Sequence, residues 1–115
     1  MPRRLIVQLT TVDPVTVATA LTVGMTAAAA GAEVGVWLSG PATAFALVDG
    51  SPGTTLEYAP DPEQALAAVT SVTVCSQCAA RRGLTEADLR PGARIAGATT
   101  LVEQLLAEGT QALTY

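Results

Sequence analysis

Val72-Thr73-Val74-Cys75-Ser76-Gln77-Cys78-Ala79-Ala80-Arg81-Arg82-Gly83 changes character part-way along. Val72, Thr73 and Val74 are β-branched and suit a buried strand, which leads straight into Cys75. Ala79 to Arg82 reads as helical, and Gly83 stops it. A strand that passes directly into a helix is the repeating step of a parallel α/β sheet.

The same step recurs on both sides of this segment. Leu5 to Leu9 is a short apolar run fit for a buried strand. Asp13-Pro14 then signals a helix start, because Asp caps free amides and Pro is tolerated at the first helical position. The pattern predicts a helix to about Ala30 with Gly31 as its stop. Its polar surface is almost all Thr, so burial on more than one face is expected, one against the sheet and another available to a second subunit. Val34 to Leu38 forms the next strand, ended by Ser39-Gly40-Pro41. A short helix is expected over Ala42 to Val48, and a short extended piece over Thr54 to Tyr58. Asp61-Pro62-Glu63 opens another helix, through about Val69. After Gly83, Thr85 to Asp88 has the form of a capping box and Pro91-Gly92 of a turn. Arg94 to Ala96 is a strand, Thr99 to Glu108 a helix and Gln111 to Tyr115 a closing strand. Strands alternating with helices predict a mainly parallel sheet covered on both faces, with residues 1–115 as one domain.

Composition narrows the function. The chain has 115 residues, half of them apolar, and its only aromatics are Trp37, Phe45, Tyr58 and Tyr115. Net charge is −4, with neither Lys nor His. A nucleic-acid binder needs a basic face, so that class is not expected. Lack of His removes the usual general base and the commonest zinc ligand. Charged residues make up only 14% of the chain, which suggests surface covered by other subunits. The apolar run after Arg3-Arg4 ends at Gln8, too short for a signal peptide. The uncharged stretch Val15 to Ala32 reads as a buried helix and not a membrane span. A cytoplasmic setting follows, in which the two cysteines are not expected to form a structural disulfide.

In parallel sheets, ligands bind beyond the carboxyl ends of the strands. Here those ends are Thr10-Thr11, Ser39-Gly40, Cys75-Ser76 and Gly97-Ala98-Thr99. Only one carries a strong nucleophile. Ser76 is placed to cap the helix after Cys75, and amides at a helix N-terminus favour thiolate over thiol. Cys78 lies within the same first turn, and its spacing can bring the two sulfurs together. Arg81 and Arg82 stand at the far end of the helix, where they act less on the thiol than the amides do but can contact an anionic partner. Three other readings stay open at this point. Both cysteines can be inert core residues, the pair can be a dithiol redox centre, or it can supply half of a zinc site completed elsewhere.

The segment Cys75-Ser-Gln-Cys78-Ala-Ala-Arg-Arg82-Gly83-Leu84, with Asp88-Leu89-Arg-Pro-Gly92 and Gly97-Ala98, resembles the DsrE/DsrF-like family with its sulfur-relay and YchN-like members. Arg82-Gly83 stands at the family's distance from the strand-end cysteine. The resemblance implies a three-layer α/β/α sandwich with a five-stranded parallel sheet, assembled as a trimer or hexamer. It also implies a persulfide on Cys75, received from a sulfur donor protein and passed to an acceptor, as in a sulfurtransferase. Cys78 matches a second cysteine of many YchN-like members, and either assists release of sulfur or stands by. No cofactor, metal or membrane is implied. A ligand- or protein-binding oligomer without thiol turnover is the rival expectation.

Overall fold

The computed structural model describes residues 3–115. Among these residues five strands form one sheet: β1 (Arg4–Leu9), β2 (Glu33–Leu38), β3 (Ser71–Cys75), β4 (Ala93–Ala96) and β5 (Thr110–Thr114). Their order is β4-β3-β2-β1-β5, and every neighbouring pair is parallel. The helices between them are α1 (Pro14–Ala29), α2 (Pro62–Ala68), α3 (Ser76–Arg81) and α4 (Ala98–Leu106).

The strand order fixes the layers. From β1 through β2 and β3 to β4 the chain steps one way across the sheet, so right-handed crossovers put α1, α2 and α3 on one face. The return from β4 to β5 runs the other way and puts α4 on the opposite face. Side chains alternate accordingly. Val7, Leu9, Val36, Leu38, Val72 and Val74 pack with Val17 and Leu21 of α1 and Leu66 of α2 in the main core. Trp37, one residue along from Val36 and Leu38, points to the other side, where its Nε1 donates to Gln104 Oε1 of α4 at 3.0 Å. The α/β/α architecture expected from the sequence is therefore present.

Local chemistry explains the element starts. Asp13 caps α1: its Oδ2 accepts from the Thr16 amide at 3.0 Å and from the Thr16 hydroxyl at 2.9 Å. The box at Thr85 and Asp88 closes as read, with the Thr85 amide donating to Asp88 Oδ2 at 2.8 Å around a single 3-10 turn, Glu86–Asp88.

Three expectations need correction, and one is seen in its single-chain form. Within the single chain, helix α1 buries one stripe, Val17, Ala20, Leu21 and Gly24, and Val15 is 62% exposed, on the side that the sequence reading leaves to a second subunit. Thr19, Thr22 and Thr26 lie on the exposed side, and Thr19 and Thr26 donate their hydroxyls to the carbonyls of Val15 and Thr22. The helix after β2 is a 3-10 helix, Gly40–Ala46, starting earlier than expected. Thr54 to Tyr58 forms no strand; the segment is loop, and Tyr58 adopts a left-handed φ of 64°. Finally, α3 begins at Ser76, so Ser76 is its first residue and not its cap; the N-cap is Cys75.

Candidate functional site

Cys75 belongs to two elements at once. It is the last residue of β3, paired in register with Ala96 of β4, and it is the N-cap of α3. No loop residue intervenes. The sulfur is therefore carried by the carboxyl edge of the sheet, where the amides of the first helical turn converge.

The surroundings come from three other strand ends. After β2, the amide of Gly40 donates to Cys78 Sγ at 3.3 Å. Gly40 reaches this position with φ +56°, and a Cβ there would lie 3.5 Å from the Thr10 carbonyl oxygen at the end of β1. The left-handed φ is what asks for glycine here, since the 3.5 Å separation is ordinary contact distance. After β4, Gly97 faces α3 so closely that a Cβ on it would lie 3.3 Å from Ser76 Oγ. The glycine lets the start of α4 approach the first turn of α3. Thr10 itself is occupied structurally, its hydroxyl donating to the Tyr115 carbonyl at 2.7 Å.

The two cysteines differ in environment. Both are free thiols, Cys75 half-buried and Cys78 only 8% exposed. Burial pushes the Cys75 thiol up, but this is outweighed. The Cys78 amide, the Cys78 thiol, the Gln77 amide and, last, the Arg81 charge favour the thiolate, and together they hold Cys75 below the ordinary thiol range. The neutral thiol makes no capping hydrogen bond of its own, so the helix-end donors are available to the ionised form. The order of causes agrees with the sequence reading that amides matter more than the distant arginines. Arg82 donates Nη1 to the Cys78 carbonyl at 3.4 Å.

Of the residues singled out from the sequence, Cys75, Ser76 and Cys78 therefore share the first turn of α3, Arg81 ends the helix, and Arg82 follows it. Gly40 and Gly97 were not assigned to the site. The available signal was their place at strand ends, because a glycine there marks close backbone approach. Chemically, the arrangement offers a stabilised thiolate at an accessible edge, backed by a second, buried thiol.

The model of the DsrE/DsrF-like family matches residues 5–115. Among solved structures, the YchN protein from E. coli is similar with a TM-score of 0.79 and 20% identity, over 100% of both chains. MTH1491, a protein of unknown function from Methanobacterium thermoautotrophicum, is similar with a TM-score of 0.76 and 15% identity, over 98% of this chain and 99% of that one. At such identities the likeness concerns the fold. No curated protein matches the chain.

Proposed function

Because the chain belongs to the DsrE/DsrF-like family, we propose that it acts in a sulfur relay, with Cys75 as the thiol that carries sulfane sulfur. Family membership supports the class of chemistry, and the placement of Cys75 supports its role. The observation that carries the reading is a thiol at the strand-end N-cap, held below the ordinary range by helix-end amides.

The transfer is an exchange at sulfur. The Cys75 thiolate attacks the outer sulfur of a donor persulfide, R–S–SH. The S–S bond of the donor breaks, RS⁻ leaves, and Cys75–S–SH forms. An acceptor thiolate then attacks the outer sulfur of Cys75–S–SH, takes it as a new persulfide and returns Cys75 as thiolate. The amides that favour the thiolate as attacker also favour it as leaving group. Donor and acceptor are separate proteins in this reading, the setting is a reducing cytoplasm, and the working unit is a homo-oligomer, a trimer or hexamer. Among the described residues no helix is long and apolar enough to cross a membrane.

The buried Cys78 beside Cys75 favours one second reading, a dithiol redox pair. In that case attack by the Cys78 thiolate on the inner sulfur of Cys75–S–SH would give a Cys75–Cys78 disulfide and release HS⁻. Incubation of the reduced protein with a small-molecule persulfide, followed by intact mass, separates the readings. A sulfur carrier gains the mass of one sulfur, Cys78→Ser retains that gain, and Cys75→Ser loses it. Loss of two hydrogens with no sulfur retained would instead identify the redox pair. Equal sulfur gain by wild type and Cys75→Ser would overturn the carrier role of Cys75.

A further inference from the structure

On the α4 side of the sheet, at the edge where the strands begin, a cleft of about 210 Å³ opens far from the carboxyl edge that carries Cys75. Arg4, Glu33, Ser71 and Arg94, one from each of the first four strands, line it together with Gln104 of α4 and Thr70, whose hydroxyl oxygen already accepts from the Val34 amide at 2.9 Å. Gly35 stands at its floor. It is buried in the middle of β2, where glycine weakens a strand and marks a site of close approach. A Cβ at Gly35 would lie 3.2 Å from Ile6 Cδ1 and 3.2 Å from Ser71 Oγ, so any side chain there would fill the space between them.

The other partners of the wall residues determine what they present to the cleft. The Gln104 amide oxygen accepts from Trp37 Nε1 at 3.0 Å, which leaves its NH2 group to donate. Arg4 Nη2 pairs with Glu33 Oε2 at 3.2 Å, using one of its five N–H groups and committing the cleft's single carboxylate. Arg94 is exposed and makes no ion pair or side-chain hydrogen bond among the described residues. Ser71 adds a hydroxyl. In the adjacent row, Thr73 pairs in register with Arg94 and Trp37; it is fully buried, and its hydroxyl has no partner. Two guanidinium groups and two uncharged donors therefore converge against one carboxylate, on a chain whose net charge is −4.

We propose that this cleft binds a compact oxyanion of the phosphate or sulfate class, held by Arg94, Arg4, Ser71 Oγ and the Gln104 amide. Guanidinium groups match such anions in charge and in the spacing of their N–H groups. The volume suits a small anion with ordered water and is below the range usual for larger organic ligands. The same chemistry fits a free inorganic oxyanion or the phosphoryl group of a larger molecule, and the test distinguishes them.

The indole N–H of Trp37, bonded to a wall residue, is the reporter. The full chain is titrated with inorganic phosphate, sulfate, thiosulfate or a nucleoside monophosphate at constant ionic strength, with chloride as the reference salt, and the indole resonance is followed. A saturable shift with the oxyanions and none with chloride is expected. Arg94→Gln, an exposed change, should weaken binding about tenfold or more, and Cys75→Ser should leave it unchanged. Gly35→Ala should abolish binding; if that variant fails to fold, Arg94→Gln still decides the matter. Tighter binding of the nucleoside monophosphate would support the site and assign the oxyanion to a larger molecule. A response shared with chloride, or affinity unaltered in Arg94→Gln, would mean an adventitious ion only and overturn the proposal.

Discussion

The amide of Gly40 points at the sulfur of Cys78 across 3.3 Å, tying the chain just after β2 to the helix just after β3. Residues 38 positions apart in sequence thus meet behind Cys75. With Gly40 donating to its sulfur, Cys78 is oriented from one side, and its own S–H favours the Cys75 thiolate. On the proposed reading, Cys78 serves as a positioning residue for Cys75.

Replacing Cys78 should therefore change the acidity of Cys75 before it changes anything else. In Cys78→Ala, the rate of Cys75 alkylation by a thiol reagent, followed against pH by intact mass, should inflect at higher pH than in wild type. Cys78→Ser, which keeps a donor, should fall between. Arg81→Gln should give a smaller upward move, because its charge is the weakest of the causes. An inflection that stays in place in Cys78→Ala would remove Cys78 from the site.

Gly40→Ala forces a side chain onto a backbone with φ +56°. The left-handed conformation costs an L-residue about 1–2 kcal/mol, while the new Cβ would stand at an ordinary contact distance of 3.5 Å from the Thr10 carbonyl. A fall in the urea midpoint of that order is expected. If the loop shifts to relieve the strain, the amide leaves Cys78, and Cys78 should label faster in the native protein. Unchanged stability together with unchanged labelling would contradict the account of this glycine.

Asp13 gives a pH dependence of known sign. The Thr16 amide and then the Thr16 hydroxyl lower its pKa, with desolvation opposing and the Val15 amide adding a further lowering. The folded pKa lies below the unfolded one, so the ionised cap stabilises the fold fully above the unfolded value. That stability is lost as pH falls through the folded value. In Asp13→Asn, which still offers a cap oxygen, this part of the acid limb should flatten in thermal melts recorded across the carboxylate range. A limb identical to wild type would place the acid sensitivity elsewhere.

Trp37→Phe tests the attachment of α4. The indole is 2% exposed and its hydrogen bond to Gln104 links β2 to that helix. Removing the donor should cost about 1 kcal/mol from the hydrogen bond, with more from the lost ring volume. Amide exchange should accelerate in α4 more than in α1, which packs on the other face. Uniform acceleration would mean that the tie is not local.

What was legible in the sequence was mostly what is decided within a few residues. Asp13-Pro14 identifies the start of α1 because the cap and its amide partners are neighbours in the chain. Thr85 and Asp88 close their box for the same reason. The start of α3 was misplaced because Cys75 serves both strand and helix, and a reading that looks for a connecting loop assigns the cap one residue late. The stripe buried on α1 was hidden by a composition of Ala, Val and Thr that is uncharged on every side. The parts of the site supplied by Gly40 and Gly97 depend on tertiary approach, which neither residue announces. Cys75 itself was legible because a nucleophile at the carboxyl end of a parallel strand stands out against three ends that lack one.

Continuity of β3 into α3 has a mechanical consequence for any sulfur carried on Cys75. Its backbone is clamped on one side by the ladder to β4 and on the other by the first turn of helix. A persulfide adds one atom at a bond length of about 2 Å, and only side-chain rotation remains to aim it. The cargo sits at a fixed berth and does not ride on a swinging arm. Delivery then requires the acceptor to bring its thiol to the sheet, so the geometry of docking, and not travel by the carrier, selects which thiol is served.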